Sequence, residues 1–395
     1  MPTPPFVLSS QNVFDYLISQ GLCTQEDKSL SHIDLKPAKN FNLLLNLPSD
    51  RQLLVKQERY NREGKTVGEF LQEWRVHDFL HTFSELSQIY PCCSEALHFN
   101  AEHSIIIFNY LNDYRDLSEF YATENYFPRE IAMTVGATLA SIHRLTVDRQ
   151  DYKDFFNNTE DAVSQQTPNL ARDLERITPA VFGMVPSHGI KFFALYQRYD
   201  SLGKAIADLS TAFTPCCLTH NDLKLNNILL SLSWQEALLH NRLAANSIIR
   251  LIDWERGAWG DPANDLGTLI ASYLQIWLHS LVTSNTIAIE ESLRLATVPL
   301  HLLQPSIAAL AIAYLANFPE IIERRPDFLE RVMQFCGLAL IRAIQAQLQY
   351  EKTFGNAGIC MLQVAKSLLC RPKASIPTIF GMEASTLANT NLSPV

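Results

Sequence analysis

Two short polar segments, each abutting a β-prone apolar run, constrain this chain more than any other feature. His220-Asn221-Asp222-Leu223-Lys224-Leu225-Asn226-Asn227 has the form His-x-Asp-x-x-x-x-Asn and leads into Ile228-Leu229-Leu230. Asp253 follows a second apolar run, Ile248-Ile249-Arg250-Leu251-Ile252. Read as strands, these runs carry Asn227 at the head of one and Asp253 at the tail of the next. Pairing of the two strands would bring an amide oxygen and a carboxylate together, the hard donors that Mg²⁺ takes. Phosphoryl transfer needs these residue types in this order. Asp222 would receive or orient the proton of an attacking hydroxyl, while Asn227 and Asp253 would hold the Mg²⁺ that carries the nucleotide phosphates. The motif alone is weak; the strand context and the second Asp give it specificity.

At 395 residues the chain exceeds one ordinary core and should form two lobes or domains. Hydrophobic residues at 47% and charged residues at 18% describe a well-buried globular protein. The net charge of −9, with no basic block to offset it, argues against a nucleic-acid partner and is compatible with a cationic acceptor. The start Met1-Pro2-Thr3-Pro4-Pro5 lacks the basic and apolar regions of a signal peptide. Leu295 to Phe318 is apolar, but Pro299, His301, Gln304 and Pro305 interrupt it, so it reads as buried helices and not as a membrane span. Eight scattered cysteines, including Cys92-Cys93 and Cys216-Cys217, match neither a zinc site nor a disulfide framework. Reduced core thiols in a cytoplasmic protein are the expectation.

Along the chain, a short helix (about Gln11 to Gln20) precedes apolar runs at Phe41 to Leu47 and Gln52 to Lys56. Pro48-Ser49-Asp50 between them predicts a hairpin. A helix is expected from Val67 to about Thr82, with Thr66 and Glu69 spaced as a capping box. Leu97 to Asn100 and Ser104 to Asn109 read as two further strands. From Pro128 the pattern turns helical, with Ile131, Val135, Leu139 and Ile142 at helical spacing. Asp148 to Ser210 is polar and helix-prone, and short strands return around Cys217-Leu218, Ile228 to Leu230 and Ile248 to Ile252. Beyond Asp261 helix dominates, up to a Pro-, Ser-, Thr- and Asn-rich tail over 371–395 that is expected to lack fixed structure. The expected fold class is α+β: a small β-rich N-lobe over 1–108, a connector near Asn109 to Asn112, and a large mainly helical C-lobe over 109–370.

The run from Leu218 to Leu230, with Ile252-Asp253-Trp254-Glu255 and Gly260-Asp261-Pro262-Ala263-Asn264-Asp265-Leu266, resembles the aminoglycoside phosphotransferase and choline kinase-like family. Gly136-Ala137-Thr138-Leu139-Ala140-Ser141-Ile142-His143 is similar to that family's helix before the catalytic loop. The resemblance spans roughly Phe41 to Tyr273 and implies a protein kinase-like two-lobed fold. It also implies roles: Asp222 as catalytic base, Asn227 and Asp253 as Mg²⁺ ligands, and His220 as a brace for the loop. Lys224 would touch the γ-phosphate or remain a solvated lysine, and Asp265 would anchor the loop by accepting backbone N–H bonds. Lys56 matches the phosphate-binding lysine of kinases. Its partner is expected to be Glu73, because the capping box would already use Glu69. Asn40 joins Lys56 and Glu73 on the nucleotide side, at the end of Leu35-Lys36-Pro37-Ala38-Lys39-Asn40-Phe41. That segment stands where a glycine-bearing phosphate loop is expected, yet it has no glycine.

The leading expectation is a Mg²⁺-dependent transfer of the γ-phosphoryl of ATP, or of GTP, to a hydroxyl of a small-molecule acceptor. The short link from Asp253 to Asp265 leaves no room for a phosphorylatable activation segment, which disfavours a general protein substrate. A peptide Ser/Thr kinase is the second reading, with Asp148 to Ser210 shaping a groove. A catalytically idle nucleotide-binding partner is the third. Glu255 and Asp261 either meet a cationic acceptor or serve as surface carboxylates. The sequence leaves the oligomeric state open.

Overall fold

The computed structural model describes residues 6–36, 39–157, 187–239, 248–282, 287 and 289–389. Two compact units emerge: Met1–Asp116 with Asn227–Gly257, and Leu117–Asn226 with Ala258–Val395. The first unit therefore extends past residue 108 and takes back a later segment of chain. The expected connector near Asn109 to Asn112 belongs to it, with the Tyr110 N–H bonded to the Gln52 carbonyl at 2.9 Å.

The first unit is built on β1 (His32–Leu35), β2 (Phe41–Asn46), β3 (Gln52–Gln57), β4 (Glu95–Asn100) and β5 (Ile105–Asn109). They form one antiparallel sheet in the order β1-β2-β3-β5-β4. The β2–β3 hairpin turns where the sequence says, with Ser49 and Asp50 at φ 62° and 56°. β1 is an addition to the sequence reading; its four residues end in Leu35, which shortens the glycine-free loop to Lys36–Asn40. Residues 37 and 38 of that loop lie outside the described residues.

Side chains alternate across a strand, and β3 shows what this achieves. Leu53 and Val55 face a core shared with Leu43, Leu45, Ile105, Ile107 and Val13, Phe14 and Leu17 of the N-terminal helix Val13–Ser19. Leu54 lies on the opposite face, against a second cluster of Phe70, Ile106 and Phe108. Lys56 shares that face by the same period, so its ammonium is directed to the helix Glu69–Thr82, which supplies Phe70. A second antiparallel sheet in this unit joins β6 (Tyr114–Asp116), β8 (Ile228–Ser231) and β9 (Ile249–Leu251) in the order β6-β8-β9.

The second unit is mainly helical, around a two-stranded ribbon of β7 (Cys217–Thr219) and β10 (Ala258–Gly260). Helix Leu300–Asn317 is long and apolar enough to cross a membrane, but 61% of it is buried inside the unit. It packs on Arg129–Thr146, where a Cβ on Gly136 would run into the Leu310 carbonyl oxygen. Gly267 makes a similar close approach to Val332. The segment after residue 370 corrects the sequence reading. Pro372–Phe380 and Ala384–Asn389 are helices, and Ile376, Ile379, Phe380 and Leu387 are buried. Pro372 sits in the first turn, where a missing N–H costs nothing, and Gly381 ends the helix at φ 69°. All eight cysteines are free thiols.

Two outcomes follow from this packing. Gly136→Ala gains about 1 kcal/mol of helix propensity but overpacks the contact with Leu310, so chemical denaturation should show a net loss of about 2 kcal/mol. An unchanged midpoint would contradict the close approach. His77, on the helix Glu69–Thr82, is pushed down to about 3 by burial, with smaller contributions from His81 and Lys56. Its Nε2 lies 3.3 Å from Ser94 Oγ. A histidine held neutral in the fold and free to protonate when unfolded stabilises the fold above pH 6.5. That contribution is lost as pH falls toward 3, at up to about 1.4 kcal/mol per pH unit. His77→Gln should remove this part of the acid sensitivity in denaturation curves taken between pH 4 and 7; identical slopes would refute the assignment.

Candidate active site

In the first unit, Lys56 is drawn into a ring of carboxylates. Its Nζ is 3.0 Å from Asp253 Oδ1 and 4.0 Å from Glu73 Oε2. The ammonium also lies 5.1 Å from the centroid of the Phe108 ring. The Lys56 side chain is 14% exposed and that of Glu73 is 1% exposed. Burial alone would pull the lysine pKa down; Glu73, Asp253 and Glu255 outweigh it and hold Lys56 charged. Burial pushes Glu73 up to about 7 against the pull of Lys56. Glu255 is likewise raised to about 7, by burial first and then by the Asp253 charge.

Asp253 and Asn227 arrive by strand pairing. Ile228 of β8 pairs with Leu251 of β9, and the Ile252 N–H donates to the Asn227 carbonyl at 3.0 Å. The two residues thus occupy adjoining strand ends. Asp253 adopts φ 67°, a left-handed conformation that costs a non-glycine residue about 1 kcal/mol or more. Asn227 and Asp253 thus offer an amide and a carboxylate, the hard oxygen donors that Mg²⁺ takes.

The start of the helix Glu69–Thr82 departs from expectation. Its N-cap is Gly68, at φ 87° and without a side chain to bond, so Thr66 and Glu69 form no capping box. Glu69 is instead ion-paired with Lys39 and receives Asn40 Nδ2 at 3.4 Å. Glu73 is therefore the glutamate beside Lys56, but for a different reason than the cap. Asn40 sits against Glu69, at the end of the β1–β2 loop. Sequence reasoning missed Glu58, whose carboxylate takes the N–H groups of Gly68 and Glu69.

In the second unit, β7 delivers the loop that carries Asp222. Asp265, fully buried, accepts the N–H of His220 at 2.7 Å and of Asn221 at 2.8 Å. His143 Nε2 lies 3.3 Å from Asp265 Oδ2, and its Nδ1 is 2.9 Å from the Tyr314 hydroxyl. Asn221, at φ 61°, is held by Asn264 Nδ2 at 3.2 Å. Lys224 Nζ straddles the Asp222 carboxylate at 2.8 and 3.0 Å. His143 and Tyr314 were not expected as parts of this brace; the only hint was a histidine at the end of the Gly136–His143 run.

Asp261 is unavailable to a cationic acceptor. It caps the helix Pro262–His279 by accepting the Ala263 N–H, pairs with Arg331 and Arg325, and has no exposed surface.

The model of the APH phosphotransferase enzyme family matches residues 42–288. Among curated proteins the chain finds no match. Solved structures similar to it include a choline/ethanolamine kinase family protein from Mesorhizobium loti, at 14% identity and TM-score 0.47, covering 94% of this chain and 99% of that one. Choline kinase LicA from Streptococcus pneumoniae is 15% identical with TM-score 0.43, over 91% and 98% of the two chains. The streptomycin–ATP complex of APH(2″)-IIa is 14% identical with TM-score 0.48, over 92% and 99%. The family model covers more than half of the chain, and its residues include the loop with Asp222 and the Asn227–Asp253 pair. The chain belongs to the phosphotransferase enzyme family and is a kinase that transfers phosphate to a hydroxyl group.

Proposed function

We propose that this kinase moves the γ-phosphoryl of ATP to a hydroxyl of a small-molecule acceptor, with Asp222 as the base. The observation that carries the reading is the largely buried Lys56, held charged between Glu73 and Asp253. A lysine so placed binds phosphate oxygens as a fixed point charge. Glu73 keeps the ammonium oriented when a nucleotide draws it away from Asp253. Bound at Asn227 and Asp253, Mg²⁺ would supply charge neutralisation across the phosphate oxygens.

Asp222 accepts the acceptor's proton or holds the hydroxyl in line for attack. The loop that carries it is pinned through backbone N–H groups by Asp265, so the carboxylate enters the reaction preorganised. Lys224 pairs with Asp222 and is suited to turn its ammonium onto the transferred phosphoryl. Asn40 is assigned to the nucleotide side through its place on the β1–β2 loop.

The small acceptor is favoured because the link from Asp253 reaches the helix Pro262–His279 after only a short turn and β10. The test is a panel of amino sugars, amino alcohols, neutral sugars and serine-containing peptides, incubated with Mg²⁺ and ATP and followed by phosphorus NMR. A phosphorylated small hydroxyl compound is expected, and Asp222→Asn should lower its kcat by about a thousandfold. Full turnover by Asp222→Asn would remove Asp222 from the role of base. Product only on peptides would replace the acceptor class. ATP binding without any product would favour an idle nucleotide-binding protein.

A further inference from the structure

Resting on the reading that Lys56 and Glu73 serve the nucleotide phosphates, we propose that Glu58 is a positioning residue for the transfer. It ties the end of β3 to the first turn of the helix Glu69–Thr82 and so keeps Glu73 against Lys56.

Glu58 follows β3 directly, two positions after Lys56, and is 3% exposed. Its Oε1 accepts the Glu69 N–H at 2.5 Å and its Oε2 accepts the Gly68 N–H at 3.2 Å. Ser104 Oγ donates to Oε2 at 2.5 Å, and the Glu58 N–H donates to the Ser104 carbonyl at 3.1 Å. Every partner belongs to the first unit. The first N–H groups of a helix need an acceptor, and a local Ser, Thr or Asp ordinarily provides it. Here the N-cap is Gly68, which has no side chain, so the acceptor comes from the residue that directly follows the lysine's strand.

That origin gives the contact its consequence. Lys56 and Glu58 ride on one stretch of backbone, and Glu73 lies one helical turn beyond Glu69. The carboxylate therefore sets the distance between the two halves of the Lys56–Glu73 pair. At 4.0 Å that pair has little separation to spare. Lys39 and Asn40 also hold Glu69, from the β1–β2 loop, but Lys39 is 58% exposed and its contact is screened by solvent. The buried tether is the stiffer of the two.

The test is a double-mutant cycle on the full-length protein, reading kcat/KM for Mg²⁺-ATP turnover without added acceptor. Glu58→Ala should lower it about tenfold in the parent, and less than about twofold in a Glu73→Gln background, because Glu58 acts through Glu73. Glu58→Gln keeps the size and one acceptor oxygen, so it should lose about threefold with the same dependence on Glu73. It serves as the variant if Glu58→Ala does not fold. Equal losses in both backgrounds would mean general support of the fold and would overturn the proposal. So would undiminished turnover in the two Glu58 variants while Lys56→Met is impaired. Undiminished turnover in Lys56→Met itself would instead remove the reading beneath the proposal, and the proposal with it.

Discussion

A lysine ammonium withdrawn from water is the constraint around which the first unit is arranged. Burial penalises the charge by several kcal/mol unless opposite charges stand close by. Lys56 meets that demand with carboxylates from separate elements, Glu73 from a helix and Asp253 from the turn after β9. Each element must then be fixed independently. The helix is fixed by Glu58 at its N-terminus and by Phe70 in the cluster with Ile106 and Phe108. The turn is fixed by the β8–β9 ladder, which accepts a left-handed Asp253 to aim its carboxylate. Losing one carboxylate leaves the others to balance the charge, so the cluster answers as a unit and not as separate pairs.

The second unit solves a related problem with the roles reversed, since there a buried carboxylate is the fixed charge. Asp265 has no exposed surface and is satisfied by two backbone N–H groups and by His143. Those N–H groups belong to the residues immediately before Asp222. By bonding the main chain of the loop, Asp265 specifies the path of the loop while leaving Asp222 itself partly open to solvent. Asp261, four positions earlier, is spent wholly on structure through Arg331, Arg325 and the Ala263 N–H.

The sequence was legible where chemistry and local periodicity coincide. The runs flanking Asn227 and Asp253 are apolar and short, and they formed β8 and β9. The hairpin at Pro48-Ser49-Asp50 and the helix ending at Thr82 were equally readable. What stayed hidden depends on distance in sequence. Thr66 and Glu69 have the spacing of a capping box, but the glycine between them took the cap position and a remote Glu58 took the N–H groups. His143 and Tyr314 come together across helices that no local pattern joins. Pro372–Phe380 was hidden by composition, since prolines and serines mask three buried apolar residues at helical spacing.

Asp253, beside Lys56, is proposed to form the metal end of a nucleotide site. Calorimetric titration of ATP with and without Mg²⁺ addresses it directly. For the parent, Mg²⁺ should tighten ATP binding by about tenfold or more, because the cation adds attraction between the phosphates and Asp253. For Asp253→Asn the residual, metal-free affinity should persist, since Lys56 keeps Glu73, while the gain from Mg²⁺ should disappear. An equal Mg²⁺ enhancement in both proteins would contradict the account.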